Sequence, residues 1–425
     1  MTLKGTPKLS ISKYGLRYRS KKHARLPHVV KFSGGSSSGM MLCILLENKI
    51  LDPKRGDVIV FNNTAAEHSA TYEFVVKCKR LAEEQYGIPF FWIEYQTYED
   101  VTKGQWMRLP SYRLAKPTPW SKSNPDGYHD RGEPFEEMLS LSGYVPNQFS
   151  RSCTKALKLE ITRKFLHDWF ACKPCIPRLG HWYAKSRIDD TSLFNLHRRN
   201  RGETPPKIYL EKKRYVRSRP TFRAEQHFAD FTKAPVAIDN PLLEGNSYGG
   251  NAHLGPGSVE YVAFIGLRAD EEPRVRRVEM RAAGGKASKG YEGEHVYMPL
   301  FNMGIGSEDI QKFWKQQGWG LSIPSHLSNC MYCFLKGSRN LQNVHKDMQN
   351  SGRESPDTPQ DVRWWQRIEQ QYGRDLELED RKRANDEVRF IGFFGKESLT
   401  YADIAEKGED AFTVDNNILP CECTD

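Results

Sequence analysis

The stretch Ser33-Gly34-Gly35-Ser36-Ser37-Ser38 has the composition of an anion-binding loop. Glycines let backbone N–H groups approach a phosphate closely, and serine hydroxyls add donors. A helix starting just after such a loop aims its free N–H groups and the positive end of its dipole at the anion. The stretch is not the G-x-x-x-x-G-K-[ST] loop, because no lysine follows it. A glycine-serine run can also be a plain turn, so its meaning depends on its neighbours. Arg268 and Arg274 are candidate phosphate clamps, since guanidinium groups bind phosphate bidentately and stabilise developing charge. Lys158 could act likewise as a point charge. Nine cysteines are present, with C-x-x-C pairs at Cys330/Cys333 and Cys172/Cys175 and a C-x-C at Cys421/Cys423. The count is odd and no export signal is visible, which favours metal or redox chemistry over a disulfide framework. Several four-thiolate sets are available, for zinc or for an iron–sulfur cluster. Cys43 and Cys78 read as ordinary buried cysteines.

The elements that must position these residues are legible in the hydropathy pattern. His28–Phe32 reads as a short buried strand leading straight into the loop, and a helix is expected over 39–48. A second strand over 58–61, a helix over 68–86 with Tyr72, Val75, Val76 and Leu81 on one face, and a strand over 90–94 follow. Strand, loop and helix in alternation predict a parallel α/β sheet. Residues 98–150, rich in proline, glycine and aromatics, suggest an irregular insertion over the sheet edge. Further helices are expected over 154–169 and 308–317, and a buried strand over 261–267. The order predicts a basic arm over 1–27 and a core over 28–340 with insertions near 98–150 and 190–250. A charged, irregular extension over 341–425 ends in Cys-x-Cys.

At 425 residues and 38% hydrophobic content, the chain can build a packed core. No apolar run approaches the roughly 20 residues of a membrane helix, and no apolar leader opens the chain, so a cytoplasmic protein without membrane contact is expected. The net charge is +10, which makes an anionic partner plausible, nucleic acid first. Arg198, Arg199, Lys212, Lys213 and Arg214, interleaved with Tyr209 and Tyr215, are the candidate nucleic-acid contacts. Basic residues with interspersed aromatics suit single strands, and a solvated charged surface reads almost the same way.

Five blocks in order resemble the PP-loop ATP pyrophosphatase superfamily, and within it the phosphoadenosine-phosphosulfate reductase-like family. Ser33, Gly34, Gly35 and Ser38 match the S-G-G-x-x-S pattern after the first strand. Asn63, Thr64 and Glu67 match an Asn/Asp-Thr-Gly-x-Glu segment that lies beside the nucleotide in that family. Cys153 to Lys158 resembles its Cys-Thr-x-x-Leu-Lys segment. Gly266, Arg268 and Arg274 fit its Gly-[Ile/Leu]-Arg block, and Cys330, Cys333 and Lys336 its Cys-x-x-Cys-Phe block. Ser36 stands where lysine is frequent, and Ser37 where an aspartate would help place magnesium.

The resemblance implies a Rossmann-like, adenine-nucleotide-alpha-hydrolase-like core that binds ATP with Mg2+. Such an enzyme cleaves ATP between its α- and β-phosphates and adenylylates an oxygen. Ser38, Arg268 and Lys158 are then the expected catalytic groups. Ser33, Gly34, Gly35, Ser36, Ser37, Asn63, Thr64, Glu67, Gly266 and Arg274 are the expected nucleotide contacts. It further implies that Cys153, Cys330 and Cys333, with Cys423 from the tail, hold an iron–sulfur cluster, zinc being the alternative. The nearest functional analogy is the ATP-pyrophosphatase component of bacterial DNA phosphorothioation, acting on DNA, or on RNA, with a cysteine desulfurase partner. Two alternatives stand beside it. One is a phosphosulfate-nucleotide reductase, whose Glu-Cys-Gly-Leu-His type segment is not found here. The other is a nucleotide-sensing or nucleic-acid-binding subunit without turnover.

Overall fold

The structure, a computed structural model, describes residues 14–16, 18, 23–100, 107–142, 144–147, 150–170, 260–283, 293–352, 354–375, 390–395 and 399–406. Its centre is a seven-stranded sheet. β1 (His28–Phe32), β2 (Val58–Asn63) and β3 (Phe90–Asp100) are followed by β4 (Met107–Pro119) and β5 (Gly127–Tyr128). β6 (Tyr261–Ile265) and β7 (Glu294–Tyr297) complete it, in the order β5-β4-β3-β2-β1-β6-β7. Every pairing is parallel except β3 with β4. The chain is therefore an α/β protein with a mostly parallel sheet, as the alternating pattern predicts, and this architecture fits a Rossmann-like core.

The central strands are apolar on both faces, as a sheet covered on both sides requires. Val29, Val58, Val60, Phe91, Ile93 and Ala263 point into one core. Their neighbours Val30, Phe32, Ile59, Phe61, Phe90, Trp92, Val262 and Phe264 point into the other. The second core is roofed by α1 (Ser36–Glu47) and α2 (Ser69–Arg80), and by α6 (Ser307–Gln317) from later in the chain. The first is covered by α3 (Glu133–Ser142) and α4 (Ile161–Phe170). α5 (Glu272–Ala282) packs Val275 and Val278 on Ile265. After α6 come α7 (Ser338–Ser351), α8 (Val362–Tyr372) and α9 (Tyr401–Glu406), which join the first core.

Several boundaries differ from the sequence reading. α1 begins at Ser36, not near residue 39, so three serines form its first turn. Gly39 sits inside the helix because a Cβ there would lie 2.5 Å from Phe74 and 2.8 Å from Trp314. The stretch over 98–150 is not irregular where it is described. β3 runs on to Asp100 and pairs with β4 from Trp92↔Ala115 to Asp100↔Met107, and α3 follows. The aromatic and β-branched run of β3 suits a pleated, half-buried surface, and the prolines of β4 lie toward a sheet edge closed only by the two-residue β5. The described part of the C-terminal region is likewise helical, because Trp364, Trp365, Ile368 and Tyr372 form one buried stripe on α8. Of the N-terminal residues, Tyr14, Leu16 and Tyr18 pack against the second core as an ordered flank.

Candidate functional site

Strand order reverses beside β1: β2 and β3 extend the sheet on one side, β6 and β7 on the other. In open α/β sheets the crevice at such a switch point, beyond the carboxyl ends of the strands, is where ligands bind. The 33–38 loop leaves β1 at this end, and Gly266 and Arg268 leave β6 beside it. A cleft of about 1100 Å³ opens there, lined at its inner end by Lys31, Ser33, Gly35, Ser36, Ser37, Ser38, Gly266, Arg268 and Arg274.

The loop is built around the buried Ser38 hydroxyl. It accepts from Ser33 N (3.3 Å) and Ser33 Oγ (2.9 Å) and donates to Gly35 O (2.9 Å). Gly34 has φ +79° and packs against Phe61, Thr71 and Val75, which a side chain would not tolerate. Gly39 N donates to Gly35 O at 3.0 Å and closes the first helical turn. The N–H groups of Ser36, Ser37 and Ser38 come before that turn is closed and point out of the helix start. No acidic residue stands in the first turn to oppose an anion. Arg268 spans the switch point, with Nη1 donating to Ser37 Oγ (3.2 Å) and Nε to Asp270 Oδ1 (2.8 Å). Arg274 is buried and pairs with Glu271.

Charge in the cleft is one-sided. Among the described residues six lysines and arginines line it (Lys31, Lys77, Arg268, Arg274, Lys315 and Lys336) against one carboxylate, Glu271. Lys31 pairs with Glu294 at 2.5 Å. Burial alone would raise the Glu294 carboxyl, but the Lys31 charge and the hydrogen bonds from Lys31 and Tyr261 outweigh it and hold it below its usual range. Lys336 is buried and donates to the carbonyls of His326 (2.5 Å), Ser328 (2.9 Å) and Met331 (2.9 Å). Its ammonium thus gathers the 326–331 segment into a wall of the cleft. Sequence reasoning missed Lys31, Lys77 and Lys315. Lys31 was visible as the one charged residue in an apolar strand, while the other two needed the packing of α2 against α6.

The second-strand loop lies elsewhere. Asn63 is buried, and its side chain is engaged by Glu94 Oε1 (2.7 Å), His129 O (2.6 Å) and Ala65 N (2.9 Å). Thr64 donates to Glu67 Oε1 (2.7 Å) and lies 3.2 Å from Cys330 Sγ. Glu67 is buried and also accepts from Ala66 N and Tyr72 OH. Burial pushes its carboxyl up despite the opposing Lys158 charge and these donors. Asn63, Thr64 and Glu67 therefore do not line the cleft. Thr64 and Lys158 instead line a small cavity with Cys153, Cys330 and Cys333.

Three of the four expected thiol ligands thus share one pocket. Its backbone is strained. Of the four described non-glycine residues with positive φ, Ala65 (57°), Arg151 (40°) and Asn329 (57°) flank Thr64, Cys153 and Cys330. Such outliers cost free energy and cluster at functional sites. The cavity measures about 20 Å³, close to what one water-sized probe occupies. An iron–sulfur cluster needs four ligands and room for several atoms. Among the described residues no group of three or more His, Cys, Asp or Glu stands at metal-holding spacing. Cys423 lies outside the described residues, as do Cys172, Cys175, Cys421 and the basic positions Arg198, Arg199, Lys212, Lys213 and Arg214.

Fold and cleft together define an α/β protein with a mostly parallel sheet and a cationic crevice at its switch point. No family model and no solved structure matches the chain significantly. Over 95 residues it is 34% identical to the uncharacterised nin region protein ORF290 of Escherichia phage lambda. That stretch is 22% of this chain and 27% of the phage protein. Among the described residues no helix is long and apolar enough to cross a membrane.

Proposed function

We propose that the chain is an ATP pyrophosphatase that adenylylates an oxygen in support of sulfur transfer to nucleic acid, DNA in the first instance. The observation that carries the reading is the glycine-serine loop at the β1/β6 switch point, with the open first turn of α1 and Arg268 converging on one cationic cleft. Backbone N–H groups and fixed cations aimed at one place suit a reaction that consists of positioning phosphates and stabilising charge as pyrophosphate leaves. Arg268 would follow the charge that develops on the leaving group, and the Ser38 hydroxyl would hold the loop in shape. Lys158 and Glu67 sit by the thiol pocket and take no part in phosphate binding on this reading.

Among the described residues, Glu271 is the one carboxylate lining the cleft. It accepts from Arg268 N and pairs with Arg274, so on this reading magnesium would travel with the nucleotide phosphates. This same observation favours a second reading, nucleotide binding without turnover. Pyrophosphate release from ATP, measured with and without DNA, separates the two: stimulated release supports the enzyme, and tight binding with no release supports the sensor. Anaerobic purification followed by iron, zinc and sulfide analysis tests whether the three-thiol pocket, completed from elsewhere in the chain, holds a metal.

A further inference from the structure

The cleft lies at the upper end of the size range of small-molecule sites. Pockets for single small molecules measure about 300–1,000 Å³, and this one measures about 1100 Å³. Past the phosphate loop it continues over an aromatic wall. Trp314 Nε1 donates to Ser36 O at 3.0 Å, which fixes its ring against the start of α1. Trp319 packs edge-on to it at 5.0 Å and stays partly exposed. Lys77 on α2 and Lys315 on α6 line the same cleft. The other four cations of the cleft are engaged, by Glu294, by Asp270, by Glu271 and by backbone carbonyls. Lys77 and Lys315 form no ion pair among the described residues.

A phosphate loop, an aromatic surface and two lysines that form no ion pair among the described residues, all lining one cleft, make a layout that a single nucleic-acid strand matches. Bases stack on aromatic rings whatever their sequence, and lysines track the backbone. We propose that the outer half of the cleft is the acceptor subsite and holds single-stranded nucleic acid. A base lies against Trp319, and its flanking phosphates lie on Lys77 and Lys315. This assigns the acceptor to the described α/β core, on residues other than Arg198, Arg199, Lys212, Lys213 and Arg214. It rests on the reading of the inner cleft as a nucleotide site.

The test compares a fluorescent thymidine oligonucleotide with ATP, on the full-length protein and two variants. One variant combines Lys77→Ala and Lys315→Ala; the other is Trp319→Leu. The lysine variant should bind the oligonucleotide about tenfold more weakly, with a salt slope shallower by about 1.4, from about 0.7 per phosphate contact on single strands. Trp319→Leu should weaken oligonucleotide binding roughly tenfold with little change in slope, since stacking is not electrostatic. ATP affinity should move less than oligonucleotide affinity in both. Unaltered oligonucleotide affinity and slope in the lysine variant overturn the acceptor subsite, as does an equal or larger loss of ATP affinity, which would make these lysines part of the nucleotide's own site. Absence of ATP binding by the unaltered protein overturns the underlying nucleotide reading instead.

Discussion

Replacing Gly266 by alanine tests the contact that brings β6 to the phosphate loop. A Cβ at this position would lie 3.0 Å from Ser38 Cα and 3.2 Å from Ser38 N. Carbon atoms in unstrained contact sit about 3.5–4.0 Å apart, so the gap falls short by about half an ångström. Both neighbours are backbone atoms at the start of α1, so no side chain can swing away and the loop itself must shift. The backbone at Gly266 does not need glycine's left-handed freedom, so the effect is purely one of space. Overpacking of this kind costs about 1–3 kcal/mol. If the distortion falls on the loop, nucleotide affinity should drop by about tenfold, each 1.4 kcal/mol being a factor of ten. Titration calorimetry with ATP and urea unfolding on the same variant separate the two effects. Wild-type ATP affinity in a variant destabilised by the expected amount would falsify the idea that the Ser33–Ser38 backbone, held against β6, forms the phosphate site.

Three further outcomes are expected. Ser38→Ala removes the hydroxyl that bonds to Ser33 and Gly35; if the loosened loop costs binding about one hydrogen bond's worth, about 1 kcal/mol, ATP binding should weaken roughly fivefold to tenfold, and unchanged affinity counts against the loop. Thr64→Val deprives buried Glu67 of a donor and should cost about 1–3 kcal/mol in urea unfolding. ATP affinity should stay put, because Thr64 lies off the cleft, and a matching loss of affinity would show the two sites to be joined. Glu369 accepts from Phe393 N and Tyr401 N, and burial pushes its carboxyl up to about 7. The folded chain therefore keeps this proton where the unfolded chain has released it. The contribution is fully present below pH about 4.5 and is lost as pH rises toward 7, a change on the order of 3 kcal/mol. Glu369→Gln should flatten that part of the stability–pH curve relative to the unaltered chain; parallel curves for the two proteins would refute the assignment.

The sequence by itself determined the α/β alternation, because short apolar strands punctuated by glycine, serine and asparagine are local signals. It also placed His28–Phe32 and the loop that follows, since a buried strand running into glycine and serine leaves little choice. It grouped Cys153 with Cys330 and Cys333 only through family resemblance, and the shared pocket agrees with that grouping. It did not show that Ser36, Ser37 and Ser38 are helical. Serine and glycine are weak helix formers, and the helix is held there by Trp314 and Phe74 closing over Gly39. Nor did it separate the two candidate sites. Asn63, Thr64 and Glu67 look like nucleotide contacts in the sequence, yet their hydrogen bonds are satisfied inward, toward Glu94, His129 and the thiol pocket. The cationic cleft is the clearest product of tertiary structure. Lys31, Lys77, Arg268, Arg274, Lys315 and Lys336 are scattered over some three hundred residues and meet only because the sheet reverses its order beside β1. A charge is read along a chain one residue at a time, whereas an electrostatic field depends on distances that only the fold sets.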